Sequence, residues 1–259
     1  MQLPSFCRPT ALLGLTITLA SCNDGSGSIT ALDQLANLQF GVPSGTVADQ
    51  LVRTKFPNAT FRYYPTVEDA AMGAKRGEVA AAAYDEPILR NIAAKDGTLR
   101  VLPQPITVDQ YGFGFRLGDT QLKSAFDAMV TEAKASGLYQ QMLDRWLPAS
   151  GAPAAMPTIA TGNGAVLRFG TAPVTEPFSF RDGSNAVVGF DVELAARLAA
   201  RLGRRLEIVP MNFGDLILKL VAGEVDMIGA CITITDARSQ QILFSNSYYT
   251  GGISALVRK

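Results

Sequence analysis

The 259-residue chain contains no histidine. That absence removes the Ser-His and Cys-His nucleophile pairs and every zinc site with a histidine ligand. Charge of one sign is also lacking: 23 basic and 23 acidic side chains cancel, which gives no basis for nucleic acid or an acidic surface as partner. No hydrophobic run is long enough to cross a membrane, the apolar stretch at 11–20 being too short. Cysteine is scarce, at three residues: Cys7, Cys22 and Cys231. What remains is 47% hydrophobic residues, enough for one large domain or two smaller ones with a substantial core.

The N-terminus reads as a targeting segment. Arg8 supplies a positive charge, 11–20 form the short apolar run, and Leu19-Ala20-Ser21-Cys22 closes it. Small residues directly before a cysteine are similar to a bacterial lipobox, which implies a mature chain starting at lipidated Cys22 and a periplasmic or cell-surface location at a membrane. Residues 23–28, rich in Asp, Gly and Ser, read as a flexible tether. Loss of Cys7 and lipidation of Cys22 would leave Cys231 as a lone thiol, expected to be buried and unable to form an internal disulfide.

From 29 to 147, short apolar strands alternate with helical patterns. Leu38-Gln39-Phe40-Gly41-Val42 reads as a strand running through the turn Pro43-Ser44-Gly45-Thr46 into a helix over 47–55. A helix over 67–75 ends at Gly77, and Val79-Ala80-Ala81-Ala82-Ala83 reads as a second buried strand. This is βαβ grammar, with a parallel sheet and helices on its faces. Helical spacing over 122–147 is split at Gly137. Residues 148–165 are almost entirely Ala, Pro, Gly, Ser and Thr, a linker composition. The same grammar then resumes, with strands over 166–170, 206–209 and 225–230, a helix starting at Phe190 that Asp191 is placed to cap, and a helix over 216–221. Lys75-Arg76-Gly77-Glu78-Val79-Ala80 echoes Val221-Ala222-Gly223-Glu224-Val225-Asp226, which suggests two similar α/β lobes.

Thr233-Ile234-Thr235-Asp236-Ala237-Arg238 offers hydroxyls and a guanidinium within one short turn, where a free carboxylate can be gripped. Together with Leu167-Arg168-Phe169-Gly170-Thr171, Pro177-Phe178-Ser179-Phe180, Val188-Gly189-Phe190-Asp191-Val192 and Gly223-Glu224-Val225-Asp226, it resembles the first half of bacterial extracellular solute-binding proteins of family 3. These are the type-II periplasmic amino-acid-binding proteins of ABC transporters. Phe40-Gly41-Val42, Ser44-Gly45-Thr46, Gly77-Glu78-Val79, Asp85-Glu86-Pro87, Tyr111-Gly112 and the stretch 134–146 resemble the second half. The halves are transposed: Val257-Arg258-Lys259 joined to Ile29-Thr30-Ala31-Leu32 would restore the ordinary order.

The resemblance implies an α/β, two-lobe periplasmic-binding-protein-like fold of type II, circularly permuted. One lobe would comprise 29–110, completed by the strand within 253–259. The other would comprise 111–147 and 166–252, with 148–165 as linker. It also implies a monomer that binds a small amino acid, delivers it to an ABC permease, and uses no cofactor and no metal. The competing organisation is two half-domains that need a partner chain; linker length favours closure on self.

An amino-acid zwitterion needs a forked cation for its carboxylate and a carboxylate for its ammonium. The resemblance puts Arg238 and Thr233 on the carboxylate, joined by Thr46 and by the Thr46 and Val47 amides at a helix start, and Asp85 on the ammonium. Asp85 and Thr46 could instead be plain helix caps, and Thr233 an ordinary strand residue. Phe213 lines the side-chain pocket or belongs to the core. Thr175, Ala172 and Cys231 depart from the family pattern, at positions where an aromatic, an acid and a Gly or Ser are usual. Ala172 argues against a cationic ligand unless Glu176 substitutes. The fold alone does not separate a transport receptor from a cyclohexadienyl or arogenate dehydratase-like enzyme, for which Glu176 or Glu86 would be the acid or base, or from a ligand-sensing domain.

Overall fold

The alternating pattern resolves into two five-stranded sheets, each the core of one lobe. The computed structural model describes residues 28–148 and 154–259; the targeting segment, Cys22, tether residues 23–27 and linker residues 149–153 lie outside them. The first lobe runs β1 (Gln39–Pro43), α1 (Ala48–Lys55), β2 (Thr60–Tyr64), α2 (Val67–Arg76), β3 (Ala81–Asp85), α3 (Glu86–Lys95) and β4 (Leu99–Val101). Strand β1 pairs in parallel with both β2 and β3, as βαβ crossovers require. All five residues of β3 are buried, because helices cover both faces of the sheet.

The chain crosses through β5 (Asp109–Tyr111) to β6 (Gly114–Phe115), then forms α4 (Thr120–Ala135) and α5 (Leu138–Trp146). The second lobe continues with β7 (Gly164–Thr171) and a small antiparallel sheet of β8 (Val174–Thr175), β9 (Ser179–Arg181) and β10 (Val187–Val188). It proceeds through α6 (Phe190–Arg201), β11 (Arg204–Pro210), α7 (Leu216–Val221), β12 (Met227–Ile228), α8 (Asp236–Ser239) and β13 (Leu243–Phe244). Strand β14 (Tyr249–Gly251) then leads to β15 (Ile253–Arg258), which returns to the first sheet antiparallel to β3 and β4.

The two sheets share one topology. Their orders are β2-β1-β3-β15-β4 and β11-β7-β12-β6-β13. Each reads second, first, third, incoming, fourth, and the incoming antiparallel strand arrives from the other half of the chain. The two crossings pair with each other as the ribbon β5–β14, where Tyr111 and Tyr249 stack with ring centroids 5.8 Å apart. Where β14 turns into β15, Gly252 sits at φ +155°, and a Cβ there would fall 2.0 Å from the Thr107 carbonyl oxygen. Only glycine fits that approach.

Core contacts tie α4 and α5 to the rest of the second lobe. Trp146 is buried and donates its indole N–H to Glu193 at 2.6 Å, while Arg145 and Arg197 reach the same carboxylate at 2.9 and 2.5 Å. Phe113 packs on Phe126 and Phe169 at 4.4 and 5.7 Å.

Three local expectations are corrected. Strand β12 covers two residues and not 225–230, although the flanking Asp226 and Gly229 amides still bond to the Arg168 and Gly170 carbonyls of β7. Strand β3 starts at Ala81, two residues later than the apolar run at Val79. Asp191 does not cap α6. Gly189 is the N-cap residue, and Asp191 is buried in the first turn, accepting the Cys231 amide at 2.9 Å.

Candidate functional site

Between the lobes lies a cavity of about 490 Å³. The first lobe contributes the β1–α1 turn through Pro43, Ser44 and Thr46, the β2–α2 turn through 65–67, and Tyr84 from β3. The second contributes 173–175, Arg181 and 210–215. These are the C-terminal ends of the parallel strands, where α/β sheets place their ligand sites. The lobes touch across the opening: a Cβ on Gly45 would stand 3.5 Å from the Gly214 Cα. Lys95 and Glu176 also bridge the lobes at 2.6 Å, the one inter-lobe ion pair among the described residues.

Arg238 sits in the short helix α8, where the Thr235 hydroxyl caps the turn by accepting the Arg238 amide at 3.3 Å. Its side chain is 8% exposed. The guanidinium donates to the Thr233 carbonyl at 2.9 Å and lies 5.6 Å from the centre of the Phe213 ring. No carboxylate among the described residues comes within ion-pair distance of it, and burial pulls its pKa downward. That carbonyl takes one of the guanidinium's donors and leaves the others able to receive an anion.

Asp85 ends β3 and is 4% exposed. It opens α3 without a side-chain capping bond. The carboxylate instead accepts the Tyr111 hydroxyl and lies 3.8 Å from the Cys231 sulfur. No cation among the described residues pairs with it. Burial raises its pKa from 3.8 to about 7, against the lowering effect of the Tyr111 hydrogen bond. Asp191 rises to about 7 for the same reason, opposed by the Cys231 amide. Cys231, at φ 45° and buried, links the two carboxyls, one through its amide and one through its thiol.

Thr46 lines the cavity, donating its hydroxyl to the Pro43 carbonyl at 2.9 Å and accepting the Ala48 amide at 3.4 Å. Val47 is the N-cap residue of α1 behind it and does not line the cavity. Thr233 is buried and bridges to Tyr111 of the ribbon. Phe213 and Thr175 both line the cavity, but the Thr175 hydroxyl is directed at the Ala172 and Ser179 carbonyls, 3.3 Å from each. Arg238, Asp85, Cys231 and Thr233 do not line the cavity; Arg238 lies against the lining ring of Phe213, and Asp85 follows the lining residue Tyr84 in β3.

Both carboxylates considered as an acid or base carry ion pairs, Glu176 with Lys95 and Glu86 with Arg90. Among the described residues, no group of three His, Cys, Asp or Glu side chains is placed to hold a metal ion, and no helix is long and apolar enough to cross a membrane. Sequence reasoning did not single out Tyr84 or Arg181 as cavity residues, or Tyr111 as the partner of Asp85. Tyr84 lies in a strand buried on both faces, so no alternation marks which of its side chains meet the cleft.

Residues 167–259 match the model of bacterial extracellular solute-binding proteins, family 3. The fold has two α/β lobes whose five-stranded sheets share one strand order. Among relatives, the arginine-binding extracellular protein ArtP of Bacillus subtilis (strain 168) is 39% identical over 93 residues, 36% of each chain. The L-cystine-binding protein TcyJ of Escherichia coli (strain K12) is 36% identical over 83 residues, 32% of this chain and 31% of its own. The matched segment thus spans about a third of the length of these relatives. Among solved structures, the arginine-bound form of domain 1 from TmArgBP is 35% identical, covering 37% of this chain and 81% of that one, with a TM-score of 0.32.

Proposed function

We propose that this chain is an extracytoplasmic receptor that closes on a small amino acid and presents it to an ABC permease, as a monomer held at a membrane by a lipid on Cys22. One observation carries the reading: a buried guanidinium without an ion-pair partner among the described residues, Arg238, lies against the cavity residue Phe213, and a buried carboxylate without one, Asp85, follows the cavity residue Tyr84 in β3. They are complementary to the two charged ends of a zwitterion. Thr46 at the start of α1 is suited to add a donor to the carboxylate from the opposite lobe. The amino-acid-binding names of the relatives agree with this reading. An enzyme on the same fold is not favoured, because Glu176 and Glu86 are occupied by Lys95 and Arg90.

The transposed order is best explained as a circular permutation. The shared topology of the two sheets supports it, since either half can then come first. A second support is the position of the two chain segments: Arg258 pairs with Leu99, and the neighbouring Arg100 holds Ser28 and the Ile29 carbonyl at 2.6 Å each. A chain rejoined from 259 to 29 and opened within 149–153 is expected to fold and bind the same ligand; failure to fold would refute the permutation.

The receptor reading is tested by calorimetric titration with L-amino acids, on the native sequence and on Arg238→Ala. Removing a buried charged partner costs about 2–5 kcal/mol, hence roughly thirtyfold to several thousandfold in affinity. Near-normal binding by Arg238→Ala would refute the site.

A further inference from the structure

We propose that the cleft selects an amino acid whose side chain is uncharged and largely apolar, an inference that rests on the amino-acid-binding reading.

Arg238 and Asp85 account for the two charges that every amino acid carries. The rest of the wall then decides the side chain. The first lobe supplies Pro65, Val67 and Tyr84, and the second supplies Pro173, Val174 and Phe213. Two charged residues line the cavity, one of each sign. Arg181 is exposed and donates to the Asn185 carbonyl at 3.0 Å, and Asp215 lies 3.4 Å from the Asn212 amide nitrogen. A cationic side chain entering this space meets one carboxylate and one guanidinium, and so does an anionic one. Neither sign finds a net countercharge, while either pays for desolvation against an apolar wall. Glu176, next in sequence to the lining residue Thr175, is held by Lys95 at 2.6 Å and does not line the cavity. An apolar side chain has no such penalty, and gains with every methylene it buries between the aromatic rings offered by the two lobes.

The test is calorimetric titration of the native-sequence protein with leucine, methionine, phenylalanine, lysine, arginine, aspartate and glutamate at pH 7.5. At least one of the three apolar probes is expected to bind about a hundredfold more tightly than any of the four charged ones. A charged probe that binds as tightly as the best apolar one overturns this inference and leaves the receptor reading standing. If none of these probes or the remaining L-amino acids binds, the receptor reading falls and the inference with it. A second variant addresses the wall directly. Val174 is 44% exposed at the cavity rim, so Val174→Asp is expected to fold and to raise the lysine-to-leucine affinity ratio at least tenfold. An unchanged ratio would show that wall charge does not set selectivity, and would overturn the proposal.

Discussion

Asp85 and Asp191 make a prediction that pH alone can test. Both carboxyls are buried, and burial lifts each from 3.8 to about 7. Asp85 faces the Tyr111 hydroxyl, the Cys231 thiol, Asp109 and Arg238, with only the carboxylate of Asp109 adding to the upward shift. Asp191 faces the Cys231 amide. An acid whose folded pKa is raised keeps a proton that the unfolded chain has already released. Stability is therefore full below about pH 4, drains as pH climbs towards 7, and levels off above that. Between pH 5 and pH 8 each group is expected to lose roughly 2–3 kcal/mol, or about 5 kcal/mol for two independent groups. Carboxyls held low by hydrogen-bond donors, such as Asp96, Asp182 and Asp226, titrate below this window and do not offset the loss. In a chain of this size the ligand-free melting temperature should fall by roughly 10–20 °C from pH 5 to pH 8. Scanning calorimetry over that range measures it. Asp85→Asn should remove about half of the fall and stabilise the protein at pH 8, while abolishing amino-acid binding. A melting temperature that is flat or rises across the window, or an Asp85→Asn variant with the same slope as the native sequence, would refute the argument. Ligand adds a consistent arm: an ammonium seated on Asp85 requires the charged form, so binding below pH 7 should release a proton and tighten as pH rises.

Three further outcomes are expected. Lys95→Ala removes the ion pair that joins the lobes, half-exposed on the lysine side, and should weaken ligand binding by about two- to fivefold, with the difference vanishing in high salt; equal affinities at low salt would exclude a role in closure. Glu193→Ala strips the fully buried carboxylate that receives Arg145, Arg197 and the Trp146 indole, and should cost about 3–5 kcal/mol in denaturant unfolding followed by the single tryptophan; a loss under 1 kcal/mol would show that α5 is held by apolar packing alone. Cys22→Ala should move the protein from the membrane fraction to the soluble one, and an unchanged distribution would rule out the lipid anchor.

The fold class was legible because its signals are local. Apolar runs alternating with helical periods specify βαβ units wherever they occur, and α2 and α7 lie within a residue of where periodicity puts them. Composition likewise marks 148–165 as a connection, and the TITDAR turn concentrates donors within six residues. Boundaries were less legible where apolar content outruns the regular ladder, as at β12, a two-residue strand within a longer, largely apolar stretch.

By itself, then, the sequence determined an α/β chain of two similar units, a cationic turn at Arg238 and an acid at the end of a buried strand. Only the tertiary structure decided what those groups meet. Asp191 resembles a helix cap until β12 brings the Cys231 amide to it, and Glu176 resembles a free acid until Lys95 arrives from the other lobe. Tyr111 reaches Asp85, and Tyr84 reaches the cavity, because β15 and β5 cross between lobes. The physical reason is range: dihedral preference and hydrophobic period act over a few residues, whereas burial, ion pairing and the pKa of an acid depend on neighbours that the chain supplies from dozens to well over a hundred residues away.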